Sequence, residues 1–209
     1  ILVSGDALVD HPSFGTALVA RFLQSLGLSV GVIAQPDWRN PRSVAQLGRA
    51  RLFFGVSSGN LDSMLHHYTA ARKKRHDDPY SPGGRAGLRP NRAVIVYANL
   101  IRSVWKDAPV ILGGMEASLR RLAHYDYWED AIRRSILLDS RADCLVYGNA
   151  ENALAEIVQA LRAGRPLAEL ACRGTVVVRP AMPDAPFLEL PSFETVSRDP
   201  LAFARMTRD

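Results

Sequence analysis

Short aliphatic runs alternate with helical patterns over residues 1–164, and this alternation restricts the chain to a parallel α/β sheet. Strands are expected at Ile1–Ser4, Ser29–Ala34, Leu52–Ser57, Pro109–Leu112 and Ala142–Tyr147. Their apolar character is nearly continuous, as strands covered on both faces require. Phe14, Leu18, Phe22 and Leu26 recur every four residues and Gly27 follows as a C-cap, which predicts a first helix. Leu154, Ile157, Val158 and Leu161 repeat that pattern before Gly164. Val94, Tyr97, Ile101 and Val104 form another helical stripe, which must carry the chain back to the fourth strand. Two stretches break the alternation. Residues 60–92 form an insertion, with a helix expected from Asn60 to about Arg75 and a turn-rich loop from Asp77 to Gly84. Residues 165–209 read as a connector with a β-like run at Gly174–Val178, a Pro-rich stretch and a helical start at Pro200.

Composition narrows the class further. With 47% hydrophobic and 22% charged residues among 209, the chain is neither disordered, collagenous nor a coiled coil. Its longest apolar run, Ala93–Ile101, contains Asn99 and is far shorter than the ~20 residues of a membrane span. The opening Ile-Leu-Val-Ser-Gly has no charged leader, so a cytoplasmic location is expected. Cys144 and Cys172 are too far apart for a CxxC pair and are expected as buried, reduced thiols. The net charge of +5 is local. From Arg72 to Arg92, the cations Arg72, Lys73, Lys74, Arg75, Arg85, Arg89 and Arg92 face only Asp77 and Asp78, so this stretch carries the whole excess.

In an open parallel sheet, ligands bind beyond the carboxyl ends of the strands. Every predicted strand end carries small or polar residues, including Gln35-Pro36-Asp37-Trp38 after the second strand. The ligand-facing candidates are Ser4, Gly5, Asp6, Ser57, Ser58, Gly59, Asn60, Gly113, Gly114, Glu116, Gly148 and Glu151. Glycine there permits positive φ and close backbone approach. Ser57 or Ser58 with Asp62 and His66 has the residue types of a hydrolase triad, but without a Gly-x-Ser-x-Gly elbow. His66, His67 and His76 lack the i, i+4 pairing of a helical zinc site and read as a solvated helix face. There is neither a GxGxxG run nor a Walker loop, and no catalytic or metal-ligating residue is assigned. From Arg120 to Trp128 cations lie beside aromatics. Such a segment either stacks on bases or forms an interface whose arginines pair with Asp126, Glu129 or Asp130.

Several long strings occur in one order: Val56-Ser57-Ser58-Gly59-Asn60-Leu61-Asp62-Ser63-Met64, His67-Tyr68-Thr69-Ala70, Lys73-Lys74-Arg75 and Tyr80-Ser81-Pro82-Gly83-Gly84. Gly113-Gly114-Met115-Glu116-Ala117-Ser118-Leu119-Arg120-Arg121 follows and runs into His124-Tyr125-Asp126-Tyr127-Trp128. Together they closely resemble the N-terminal region of the YgiQ family of radical S-adenosylmethionine (SAM) proteins, over essentially the whole chain. The resemblance implies a flavodoxin-like, cobalamin-binding-type domain of five parallel strands with helices on both faces. It also implies a downstream radical SAM barrel whose CxxxCxxC motif holds a 4Fe-4S cluster and SAM.

That motif is absent here. Three thiolates hold three irons of such a cluster, and two distant cysteines cannot. No cofactor is expected in this chain alone. Cobalamin domains with a histidine beneath cobalt carry Asp-x-His-x-x-Gly after the first strand. Asp10-His11-Pro12-Ser13-Phe14-Gly15 has these residues out of register, so cobalamin binding is not expected, and His11 is its only candidate ligand. The reading is an accessory domain that helps the barrel to enclose cofactor and substrate. The alternatives are an RNA-binding module using Arg72, Lys73, Lys74, Arg75, Arg120 and Arg121, and a stand-alone domain binding a small anion.

Overall fold

The computed structural model describes residues 1–9, 14–182, 184 and 186–208. Asp10 to Ser13, and with them the His11 expectation, lie outside the described residues. In chain order the strands are β1 (Leu2–Ser4), β2 (Val32–Ala34), β3 (Phe54–Ser57), β4 (Val110–Leu112), β5 (His124–Asp126), β6 (Ala131–Arg133), β7 (Cys144–Val146) and β8 (Thr175–Val177). The helices are α1 (Gly15–Ser25), α2 (Ser63–His67), α3 (Ala93–Val104), α4 (Gly114–Leu119), α5 (Ile136–Ser140), α6 (Glu151–Arg162), α7 (Phe193–Val196) and α8 (Pro200–Arg208).

The main sheet has the order β2-β1-β3-β4-β7-β8. Its first five strands are parallel, with Leu2 opposite both Val32 and Gly55 and Phe54 opposite Val110. β1 therefore lies between β2 and β3, and strand order reverses beside it. The alternating side chains of each strand serve two cores. Val3, Val56, Val110, Leu112 and Leu145 face α3 and α5, whose Tyr97, Ile101, Ile136 and Leu137 are buried against them. Leu2, Ile111, Cys144 and Val146 face the other layer, where Leu23 of α1 and Leu154, Ile157 and Val158 of α6 close the core. Both thiols are free and buried.

Three expectations need correction. The sheet has a sixth strand: β8, from the β-like run near Gly174, pairs antiparallel to β7 with Cys144 opposite Val177. The helix expected from Asn60 to Arg75 is only α2, because Tyr68 leaves it with extended angles (φ −129°, ψ 148°) and bridges back to Lys74. His66 and His67 are not a solvated face; each is 7% exposed. The segment from Arg120 to Trp128 contains β5, which pairs antiparallel with β6 in a separate hairpin. Val196, Ala202 and Met206 of α7 and α8 pack with Ala123 and Ile132 at that hairpin.

Candidate functional site at the strand ends

The loops after β1 and β3 are tied to the insertion by one arginine. Arg89 is fully buried, and its Nη1 donates to Asp6 Oδ1 at 2.6 Å and to the Ser58 carbonyl. Its Nη2 donates to Asp78, 3.1 Å from Oδ2. The second oxygen of Asp6 accepts from the Asn60 N–H at 2.6 Å, so the same carboxylate holds the β3 loop. Asp78 also accepts from the Tyr80 N–H and the Ser81 hydroxyl. Burial alone would raise the Asp78 carboxyl, but the Arg89 charge and these donors leave it below its ordinary value.

Packing at this junction is close enough to dictate residue type. A Cβ on Gly5 would fall 2.1 Å from the Ser58 carbonyl oxygen. Gly59 has φ +100°, and a Cβ there would lie 2.0 Å from Asp6 Oδ1. Ala7 N–H donates to the Tyr80 carbonyl, and Asn60 Nδ2 to the Tyr80 hydroxyl. The Asp78–Ser81 turn is thus fastened where strand order reverses. His66 packs edge-on to Tyr80 at 4.9 Å between ring centres. Burial, reinforced by the Arg89 charge, pushes its imidazole down to about 4, so it is neutral near pH 7.

Glu116 points inward. Its Oε2 accepts from the Ser63 N–H at 2.8 Å and its Oε1 from the Val94 N–H at 3.1 Å. One fully buried carboxylate therefore satisfies orphan donors in the first turns of both α2 and α3. Burial raises its pKa against the pull of those donors. Asp62 caps α2 through Met64 and Leu65, and forms an ion pair with Arg120. Ser58 donates to the Leu61 carbonyl. The triad residue types thus serve loop and cap geometry, with no nucleophile–base bond among them.

Seven of the twelve ligand-facing candidates, Ser57, Gly59, Asn60, Gly113, Gly114, Gly148 and Glu151, line one cleft. Ser4, Gly5, Asp6, Ser58 and Glu116 do not, and all five are buried. The cleft has a volume of about 330 Å³, at the lower end of the roughly 300–1,000 Å³ of small-molecule sites. Leu2, Val3, Phe53, Val56, Ile111, Leu112 and Val146 line it from the sheet, with Leu18 and Val19 of α1 and Leu154 of α6. Thr16, Ser57, Asn60, Asn149 and Glu151 supply polar groups. No Arg, Lys or His is among the described lining residues.

The basic residues divide into two groups. Arg92, from outside the Arg120–Trp128 segment, pairs with Asp126 and Glu129 at 2.8 and 2.7 Å, where the interface reading expected the segment's own arginines. Arg120 pairs with Asp62, while Arg121 lies 4.9 Å over the Tyr147 ring and donates to the Ser118 carbonyl. With Arg89 these cations face inward. Arg72, Lys73, Lys74, Arg75 and Arg85 are exposed.

The family model described as radical SAM N-terminal matches residues 1–209. The chain belongs to the radical SAM N-terminal family. It is 54% identical to the UPF0313 protein of Geobacter sulfurreducens over 211 aligned residues, covering 100% of the chain and 35% of that protein. A UPF0313 protein of Clostridium botulinum is 52% identical over 98% of the chain and 32% of its own length. One of Thermotoga neapolitana is 54% identical over 98% and 36%. This radical SAM N-terminal chain thus spans about a third of the length of the curated relatives it matches. Among solved structures it resembles the radical S-adenosylmethionine methyltransferase TsrM of Kitasatospora setae, solved with tryptophan and a SAM analogue. That likeness, with TM-score 0.54 and 21% identity over 87% of this chain and 30% of TsrM, is one of fold.

Sequence reasoning missed Thr16 and Asn149 at the cleft, and Asp78, Tyr80 and Arg89 at the junction. Thr16 and Asn149 adjoin glycines and could have been found by asking which helix starts follow strand ends. Nothing in Gly87-Leu88-Arg89-Pro90 distinguishes Arg89 from the exposed Arg85.

Proposed function

We propose that this chain is the accessory domain of a radical SAM iron–sulfur enzyme in the cytoplasm, and that its strand-end cleft helps to enclose the cofactor and substrate handled by the rest of a longer polypeptide. The observation that carries the reading is the cleft itself, an apolar surface bordered by the start of α1 and the loops after β3, β4 and β7. Membership of the radical SAM N-terminal family supports it, as does the length of the relatives. No helix among the described residues is long and apolar enough to cross a membrane.

The residues do not fit a resident iron–sulfur cluster. Cys144 and Cys172 are two where three are needed, and both are buried in the sheet's second core. Nor does the described lining offer an imidazole to a cobalt ion. The cluster and SAM belong, on this reading, to the remaining two-thirds of the polypeptide, and cobalamin does not bind tightly to this domain.

Anaerobic reconstitution tests this. The full-length relative of Geobacter sulfurreducens should take up a four-iron cluster and cleave SAM, whereas this chain should show no iron–sulfur absorbance and no change in the spectrum of micromolar hydroxocobalamin. A four-iron cluster on this chain, a cobalamin shift, or a full-length relative without a cluster would each overturn the reading.

A second reading rests on the exposed cations Arg72, Lys73, Lys74 and Arg75, which give the domain a surface for a polyanion. Heparin affinity that falls with salt, and falls further on Lys73→Ala/Lys74→Ala, tests it.

A further inference from the structure

The exposed cations sit on a tight hairpin. The Thr69 N–H donates to the Lys73 carbonyl at 2.8 Å, the Arg72 N–H to the Thr69 carbonyl at 2.9 Å, and the Arg75 N–H to the His67 carbonyl at 2.8 Å. The Thr69 hydroxyl accepts from the Lys73 N–H, adding a side-chain lock to the turn. At its tip Arg72 is held at φ +58°, a left-handed conformation uncommon outside glycine. This backbone places the Arg72 guanidinium 4.5 Å over the Tyr127 ring.

Tyr127 ties the hairpin to the β5–β6 turn, its hydroxyl donating to the Ala70 carbonyl at 2.7 Å. Trp128 meets Tyr127 edge-on at 5.6 Å, and Tyr68 lies 6.4 Å from Trp128. Tyr125, in β5, stands two positions before Tyr127 on the same β5–β6 hairpin. Tyr125 and Tyr127 remain 48% and 42% exposed, so cations and open aromatic faces share one surface. Two of the neighbouring carboxylates are paired with arginines, and the third is bonded to Tyr125 itself. Asp126 and Glu129 hold Arg92, Glu129 also holds Arg133, and Asp130 accepts from the Tyr125 hydroxyl.

We propose that the Thr69–Arg75 hairpin and the Tyr125–Trp128 turn form a preformed binding surface for a single-stranded nucleic acid. Lys73, Lys74 and Arg75 neutralise its phosphates, while Tyr125 and the Arg72-covered Tyr127 stack on its bases. Cations flanking exposed rings are the combination such strands require, since phosphate contacts give affinity and every base has a face to stack. An acidic protein would use the cations but gain little from the rings. The assignment rests on the polyanion reading of the same hairpin.

Fluorescence anisotropy across a salt series tests it, using labelled RNA and DNA of about 12 nucleotides, a span typical of single-stranded sites, with heparin and poly-glutamate as polyanions without bases. One or both nucleic acids should bind more tightly than poly-glutamate, and which of them does identifies the source of the strand. Lys73→Ala/Lys74→Ala should lower the salt slope by roughly 0.7 for each lost contact. Tyr125→Ala should weaken nucleic acid roughly tenfold and leave heparin unchanged, while Tyr125→Phe, which keeps the ring, should retain binding. Heparin binding with nucleic-acid affinity indifferent to Tyr125→Ala would overturn the nucleic-acid assignment but keep the polyanion reading. Poly-glutamate bound as tightly as RNA and DNA would do the same and indicate an acidic protein partner. No binding to any probe at low salt would remove both.

Discussion

Arg89 Nη1 lies 2.6 Å from Asp6 Oδ1, across 83 positions of chain. This contact joins the end of β1 to the insertion, and through Asn60 N–H on Asp6 Oδ2 it also holds the loop after β3. The rim of the cleft and the insertion that bears the basic hairpin are therefore mechanically one unit.

Removing the cation should expose that dependence. Arg89→Met leaves Asp6 and Asp78 without their shared counter-charge at 6% and 1% exposure. Urea unfolding should show a loss of about 3–5 kcal/mol, as when one partner of a buried pair is deleted. Arg89→Lys should recover only part, because an ammonium cannot fork between two carboxylates. A loss below about 1 kcal/mol would mean that the insertion is held by other contacts.

The same junction sets a pH dependence. The unfolded chain binds a proton at His66 near pH 6.5, and the folded chain refuses it until about pH 4. Stability is thus fully present above pH 6.5 and lost as pH falls toward 4, by up to about 3 kcal/mol. The depressed Asp78 carboxyl adds a further loss only below its ordinary value of 3.8. Urea midpoints at pH 7 and pH 5 should differ for the wild type and differ less in His66→Leu, the remainder coming from His67 and His124, whose imidazoles burial also holds down. Equal sensitivity in the variant would place the titration elsewhere.

Two glycines separate crowding from backbone preference. Both have positive φ, but a Cβ on Gly148 meets nothing within 4 Å, whereas one on Gly59 meets the Asp6 carboxylate. Gly148→Ala should therefore lose only about 1–2 kcal/mol from the left-handed backbone. Gly59→Ala should lose more, since it also displaces a partner of Arg89. Similar thermal melts for the two variants would deny that Asp6 and the β3 loop are in contact.

The double cap offers a graded series. Glu116→Ala leaves the Ser63 and Val94 N–H groups buried and unpaired, at about 1–3 kcal/mol each. Glu116→Gln keeps one acceptor and should fall between the wild type and Glu116→Ala. If the two variants unfold alike, the carboxylate does not serve both helices.

The parallel strands were legible because each is a continuous apolar run, and residues alternating along it, such as Leu2 and Val3, are buried in opposite layers. Their ends were less so. Pro109 cannot donate to the ladder and stands outside β4, its carbonyl accepting instead from Phe54. The antiparallel β8 was visible only as a β-like run, since nothing local states which neighbour it pairs with. Four of the strand-end glycines, Gly59, Gly113, Gly114 and Gly148, line the cleft, and backbone freedom is readable locally. Glu116 misled for the opposite reason. Its place after Gly113-Gly114 implies an outward carboxylate, and only the distant Ser63 and Val94 turn it inward. The Asp6–Arg89–Asp78 junction likewise depends on tertiary contacts that no window of sequence contains.

Hydrogen exchange in the Geobacter sulfurreducens relative, full length against the segment matching this chain, tests most directly whether the cleft faces the rest of the polypeptide. Exchange should be slower in the full-length protein at the positions matching Ser57–Asn60, Gly113–Met115 and Gly148–Glu151, with the outer edge at β2 unchanged. Identical exchange at those loops in both forms, or protection confined to β2, would contradict it.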